Sequence, residues 1–186
     1  MSDTALIRRG TEIDAKSLEI LEFPRVRDIL ASFTSFSASR QLALDLSPSA
    51  DAESVSRLLR QSAEARYLLA TEPAFTIGGV TDIREPARIA AVGKVLEPPT
   101  LLDIQNTLAA IRHLRADLSR RAEEVPLLWS LAEPLVDLPE IEKEIGGCIS
   151  STAEVLDSAS TRLLNLRQHL KEKRQEVLSR LEGLVK

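Results

Sequence analysis

The chain has 186 residues, a net charge of −4 and one cysteine, Cys148, which excludes an internal disulfide and argues against a general polyanion binder. Apolar residues make up 44% but aromatics only 3%, so any core must be built from Leu, Ile, Val and Ala. With 7 glycines and few strand-favouring aromatics, that composition predicts an all-α protein. A lone cysteine fits a reducing, cytoplasmic setting. No apolar run approaches the roughly 18 residues that cross a bilayer, and "MSDTALIRRGTEIDAK" lacks the apolar stretch of a secretory signal.

Residues 1–16 have weak periodicity and read as a loose lead-in. Pro24 then opens a helix through Val26, Ile29 and Leu30. "SFSASRQLALDLSP" predicts a second short helix stopped by Pro48. The next helix, in "ADAESVSRLLRQSAEARYLLATEP", places Val55, Leu58, Leu59, Ala65 and Leu69 on one face. "FTIGGV" is β-prone but broken by Gly78 and Gly79, and "DIREPARIAAVG" is helical. "KVLEPP" connects to a long helix from about Pro99 to Arg121, striped by Leu101, Ile104, Leu108, Ile111, Leu114 and Leu118. "VPLLWSLAEPL" and "LPEIEKEIGG" are two shorter helices. From Gly147 to Asp157 the period becomes two around a polar turn at Ser151 to Ala153, which predicts a small β-hairpin. From Ser160 the helical period returns. It still runs at Lys186 without a cap signal, as expected if the helix continues in a longer protein.

Few residues carry the signature of chemistry. Gly93-Lys94 is followed by Val95 and has no preceding glycine at P-loop spacing, and "IGGV" reads as a turn. One cysteine and two histidines fall short of a structural zinc set. The carboxylates are scattered along helices, as on a solvated face. His113 lies opposite the stripe of the long helix, and His169 sits among basic residues. Trp129 and Tyr67 read as core or groove-lining, and Cys148, on an expected strand, as a small buried hydrophobe.

Asp157, Ser158, Ser160 and His169 look at first like the parts of a serine hydrolase. A nucleophilic serine, however, needs a base within hydrogen-bond reach. His169 follows Ser160 by about two and a half turns, roughly 13 Å along one helix. Helix capping uses the same atoms better: the Ser160 hydroxyl can accept from the first-turn amides, and Asp157 suits the positive end of the helix dipole. The helix itself shows Leu163, Leu166, Leu170, Val177, Leu181 and Leu184 at coiled-coil-like spacing, interrupted by Lys173. Arg162, Arg167, Lys171, Lys173, Arg174 and Arg180 make it basic. That run reads first as a solvated face. The alternative is a weak nucleic-acid contact through Arg167, Lys171, Lys173 and Arg174.

The stretches "LEILEFPRVRDILASFTSFSASRQLALDLSPSAD", "FTIGGVTDIREPARIAAVGKVLEPPTLLDIQNTL" and "EVLDSASTRLLNLRQ", in that order, resemble the amino-terminal part of the bacterial MutS-two family, paralogues of the mismatch-repair MutS ATPases. The resemblance covers about residues 17 to 186. The family commonly has glycine where this chain has Ala153, and proline after the capping serine where it has Thr161.

The resemblance implies a mainly helical MutS-type core at 17–159, ending in the hairpin, and the start of a lever helix at 160–186. It also implies a parent that is an ATPase using ATP and Mg, dimerises, carries an Smr endonuclease domain and clamps branched DNA or collided ribosomes, with ribosomal RNA contact. The family's roles are suppression of homologous recombination and ribosome rescue, with no membrane partner. For this chain it implies no catalytic, cofactor-binding or metal residue. The alternative is a free-standing helical adaptor that dimerises through its last helix.

Overall fold

A computed structural model describes residues 14–184, with side chains to Glu182, so residues 1–13 of the lead-in expected at 1–16 and the Leu184 side chain lie outside the described residues. The described chain is all-α. It contains nine α-helices, a 3-10 turn and no strand, and it ends in a long helix. The helices are α1 (Ala15–Ile20), α2 (Phe23–Ser32), α3 (Ser37–Leu44), α4 (Ala52–Thr71), α5 (Arg84–Ala91), α6 (Pro98–Arg120), α7 (Pro126–Ala132), α8 (Pro139–Cys148) and α9 (Thr161–Leu184); the 3-10 turn η1 is Asp157–Ala159.

The starts follow from local chemistry. Pro24, Pro98, Pro126 and Pro139 stand in the first turns of α2, α6, α7 and α8, where a missing N–H costs nothing. Asp14 caps α1 and Asp51 caps α4, the latter accepting from the amides of Glu53 and Ser54. Hydrogen bonds from Ser54, through its side chain and its amide, hold the Asp51 carboxyl below the usual carboxylate range. Its contribution is therefore complete above that range and fades as pH falls through the lowered folded value. Gly93, at φ +76°, closes α5: its amide donates to Ala90 and that of Lys94 to Ile89, the paired bonds of a Schellman end.

The helices group into two compact units. The first holds residues 14–82 with Ala110–Val136, and the second holds Ile83–Ala109 with residues 137–184, so the boundary falls inside α6. In the first unit α2 packs on α3, each burying one alanine, Ala31 and Ala43. Its core joins α4, α6 and α7 through Leu68, Leu118, Val125 and Ala132, with Phe75, Leu114, Leu128 and Trp129 packed around them. Arg115 lies over the Trp129 ring at 5.8 Å.

Glu64 on α4 fastens α7 to this core. Its two carboxylate oxygens accept from the amides of Leu127 and Leu128, at 3.2 and 2.9 Å. These are first-turn donors with no partner inside α7, so a side chain from another helix supplies the cap.

Two stretches depart from what local spacing suggests. The face of α4 that turns inward carries Glu64, Ala65 and Leu68, whereas Leu58, Leu59 and Leu69 are exposed. The inward turn of Glu64 toward the α7 amides accompanies Leu68 rather than Leu69 in the core. The expected hairpin at 147–157 is reduced to one antiparallel bridge between Ile149 and Val155. Helix α8 runs on through Gly147 and Cys148 and consumes the first arm, while Asp157–Ala159 wind into η1. Cys148 is thus the half-buried end of a helix. A six-residue helix, α1, also stands where only the end of the lead-in and unassigned residues were expected.

Replacing Glu64 with Ala leaves both α7 amides without this acceptor, and urea denaturation of the chain is expected to show a loss of about 1–2 kcal/mol. Gln, which retains one good acceptor, is expected to lose less.

Candidate functional site at the root of the last helix

In the second unit α8, η1 and the start of α9 form a compact joint. The chain leaves α8 and passes the Ile149–Val155 bridge, closed by Ser150 N–H donating to Glu154 O and Leu156 N–H donating to Cys148 O, each at 2.8 Å. The Ser150 hydroxyl accepts from the amides of Thr152 and Glu154 and so fixes the turn. At the turn's end Ala153 sits at φ +58°, a left-handed conformation that suits glycine better.

The serines that first suggested a nucleophile have structural partners. Ser160 Oγ accepts from Leu163 N–H at 3.1 Å, and its carbonyl accepts from Leu164 N–H, which makes it the cap of α9. Ser158 Oγ donates to Gly147 O at 2.8 Å, tying η1 back to α8. Asp157 pairs with Arg167, two turns into α9. Both histidines, His113 and His169, are exposed. Among the described residues no group of three or more His, Cys, Asp or Glu could hold a metal ion.

The four candidate phosphate contacts on α9 are all exposed, but they are not equivalent. Arg167 is held by Asp157, and Lys173 by Glu176 at 2.8 Å, the same carboxylate that Arg180 engages at 2.6 Å. Lys171 and Arg174 form no ion pair among the described residues.

Two further concave surfaces have no counterpart in the local sequence pattern. In the second unit a cleft of about 390 Å³ with a mixed polar and apolar lining includes Gln105 and Asn106 of α6, Glu142 and Gly146 of α8, and Ile149 and Ser150. In the first unit an apolar groove of about 290 Å³ is lined by Leu68, Leu69, Phe75, Leu114 and Leu131 among others. Both are built by helices far apart in sequence, which no local spacing announces.

No family model matches the chain. Curated relatives do. It is 36% identical over 171 residues to endonuclease MutS2 of Thermomicrobium roseum, covering 90% of this chain and 22% of that relative. Over 174 residues it is 34% identical to endonuclease MutS2 of Pelotomaculum thermopropionicum, covering 94% and 22%, and 30% identical to that of Bacillus cereus, covering 92% and 22%. Over about nine-tenths of its length the chain is similar to the MutS2 family. It spans about 22% of the length of the MutS2 relatives it matches. The later part of this joint, from Glu154 onward, lies in the stretch "EVLDSASTRLLNLRQ", and the left-handed Ala153 directly precedes it.

Ala153→Gly should relieve that conformation and raise stability by about 0.5–1 kcal/mol, read as a higher denaturation midpoint. Ser160→Ala should cost about 1 kcal/mol and fray the start of α9, read by amide hydrogen exchange at Leu163 and Leu164.

Proposed function

We propose that this chain is a non-catalytic core and lever portion of a MutS2-type protein, with a core at 17–159 and the start of a lever at 160–186. It couples an ATPase domain located elsewhere in the longer polypeptide to a clamp on branched DNA or collided ribosomes. The observation that carries this reading is the joint at the root of α9. A 24-residue helix is capped by Ser160, braced by Asp157–Arg167 and tied through Ser158 to α8. Such a root holds a long helix in a fixed direction, which is what a movement-transmitting arm requires.

Three features support the reading. The relatives are named endonucleases, and the match covers 22% of each. The serines near the root are engaged in capping and bracing. The unpaired cations on α9, Lys171 and Arg174, supply a weak phosphate contact at most, because a few exposed charges give only low, salt-sensitive affinity. The parent's homodimer, its ATP and Mg site, its nuclease activity and its roles in limiting recombination and rescuing ribosomes belong to this same proposal.

The test is direct. The purified chain, given ATP, Mg and a four-way DNA junction, is expected neither to release phosphate nor to cut the junction. Turnover that survives repurification, or cleavage of the junction, overturns the reading.

A further inference from the structure

The outward face of α4 carries positive charge that its own helix leaves unanswered. Beyond the first turn, α4 has three arginines, Arg57, Arg60 and Arg66, and a single acid, Glu64. Glu64 follows Arg60 by four residues, the spacing at which ion pairs form on a helix surface. Its carboxylate turns inward instead, to the amides of Leu127 and Leu128. Glu72, at the end of the helix, engages Arg121, and Arg57 acts on Asp51 at the start. Arg60 and Arg66 are exposed and have no ion pair among the described residues.

Beside them stands Tyr67, the single tyrosine of the chain, 48% exposed. Arg60, Ala63, Tyr67 and Ala70 follow one another at spacings of three and four, so they share one line along the helix, and Arg66 borders it. A long helical side chain leans back over the preceding turn, which places Tyr67 over Ala63, a residue too small to cover the ring. Arg60 and Arg66 lie about 9 Å apart along the axis. Leu59, four residues before Ala63, adds exposed apolar surface.

Free guanidinium groups around an exposed ring match a nucleic-acid strand with unpaired bases: phosphates take the cations, and a base stacks on the ring. A duplex offers the phosphates but keeps its bases stacked on each other, so Tyr67 gains nothing from it. An acidic peptide answers the arginines and likewise leaves the ring unused. Cations alone give a weak, indiscriminate contact, as on α9; the ring supplies the preference for an unpaired strand.

We infer that the outward face of α4 binds single-stranded nucleic acid, with Arg60 and Arg66 on its phosphates and Tyr67 stacked on a base. The setting, a polypeptide that handles nucleic acid, rests on the functional reading above; the chemistry of the site rests on α4 alone.

The test uses the whole 186-residue chain. Its probes, at low salt, are a labelled oligothymidylate of about 12 nucleotides and a blunt duplex of the same length. The single strand is expected to bind at least fivefold more tightly than the duplex. Tyr67→Ala should weaken strand binding at least fivefold, whereas Tyr67→Phe, which keeps the ring, should change it by less than about twofold. Arg60→Glu with Arg66→Glu should weaken it at least tenfold and flatten the dependence of log K on log salt by about 1.4. Lys171→Glu with Arg174→Glu, on α9, should change it by less than about threefold. Because all these side chains are exposed, the urea midpoint should be unchanged in each variant.

No binding of the strand, equal binding of the duplex, or an affinity indifferent to Tyr67→Ala and to the paired arginine reversals overturns the inference. So does displacement of the strand by an oligoglutamate peptide of equal charge, which would make α4 a surface for an acidic protein. Each outcome is separate from the catalytic test above. Activity in the pure chain would overturn the functional reading while leaving strand binding at α4 to stand, and lost strand binding in an inert chain would do the reverse.

Discussion

The first unit depends on one junction, where the Glu64 carboxylate reaches from α4 to the open end of α7 while Leu68, Leu118, Val125 and Ala132 close beside it. Four buried side chains make a small core. At roughly 1.5–3 kcal/mol for a buried leucine or valine and much less for alanine, their burial cannot by itself offset the entropy of ordering several helices. The cap matters because it converts two unsatisfied amides into charge-assisted bonds where apolar packing is thin. It also fixes the rotation of α4. With Glu64 turned inward, Leu68 enters the core, and Leu58, Leu59 and Tyr67 are left in the open.

That rotation marks the limit of what could be read from the chain. Apolar spacing puts Val55, Leu58, Leu59, Ala65 and Leu69 on one face of α4, yet only Val55 and Ala65 of these are even half-buried. A carboxylate facing inward defeats the pattern, since its reason lies some sixty residues away at Leu127 and Leu128. Local signals fared better. The prolines opening α2, α6, α7 and α8, and the spacing along α6, placed those helices close to where they stand, because caps and first turns are settled by neighbours in sequence. The hairpin shows the converse: alternation over a few residues predicted two arms, yet α8 continued through Gly147 and Cys148 and left room for a single bridge.

The root of α9 divides in the same way. That Ser160 caps the helix was legible, since cap and amide lie three residues apart. The roles of Ser158 and Asp157 were not. One hydroxyl reaches back eleven residues to Gly147 and the carboxylate reaches forward ten to Arg167, and both spans depend on the turn between them. The candidate basic stripe was visible as composition only. The structure sorts it into cations with carboxylate partners and cations without, a distinction that turns on rotamers and the placement of Glu176.

These features bear on how an arm can work. A helix of 24 residues is about 36 Å long at 1.5 Å per residue, so a small change of angle at its root becomes a displacement of several ångströms at its far end. An exposed ion pair contributes little to stability, and Asp157–Arg167 is half exposed on both sides. Its value is directional. Together with the Ser160 cap and the Ser158 tether it constrains the start of α9 through three separate contacts. Isolated helices of this length are marginal in water, and most helical stability in proteins comes from an apolar face packed on something else. Rigidity at the root therefore comes from this chain's own side chains.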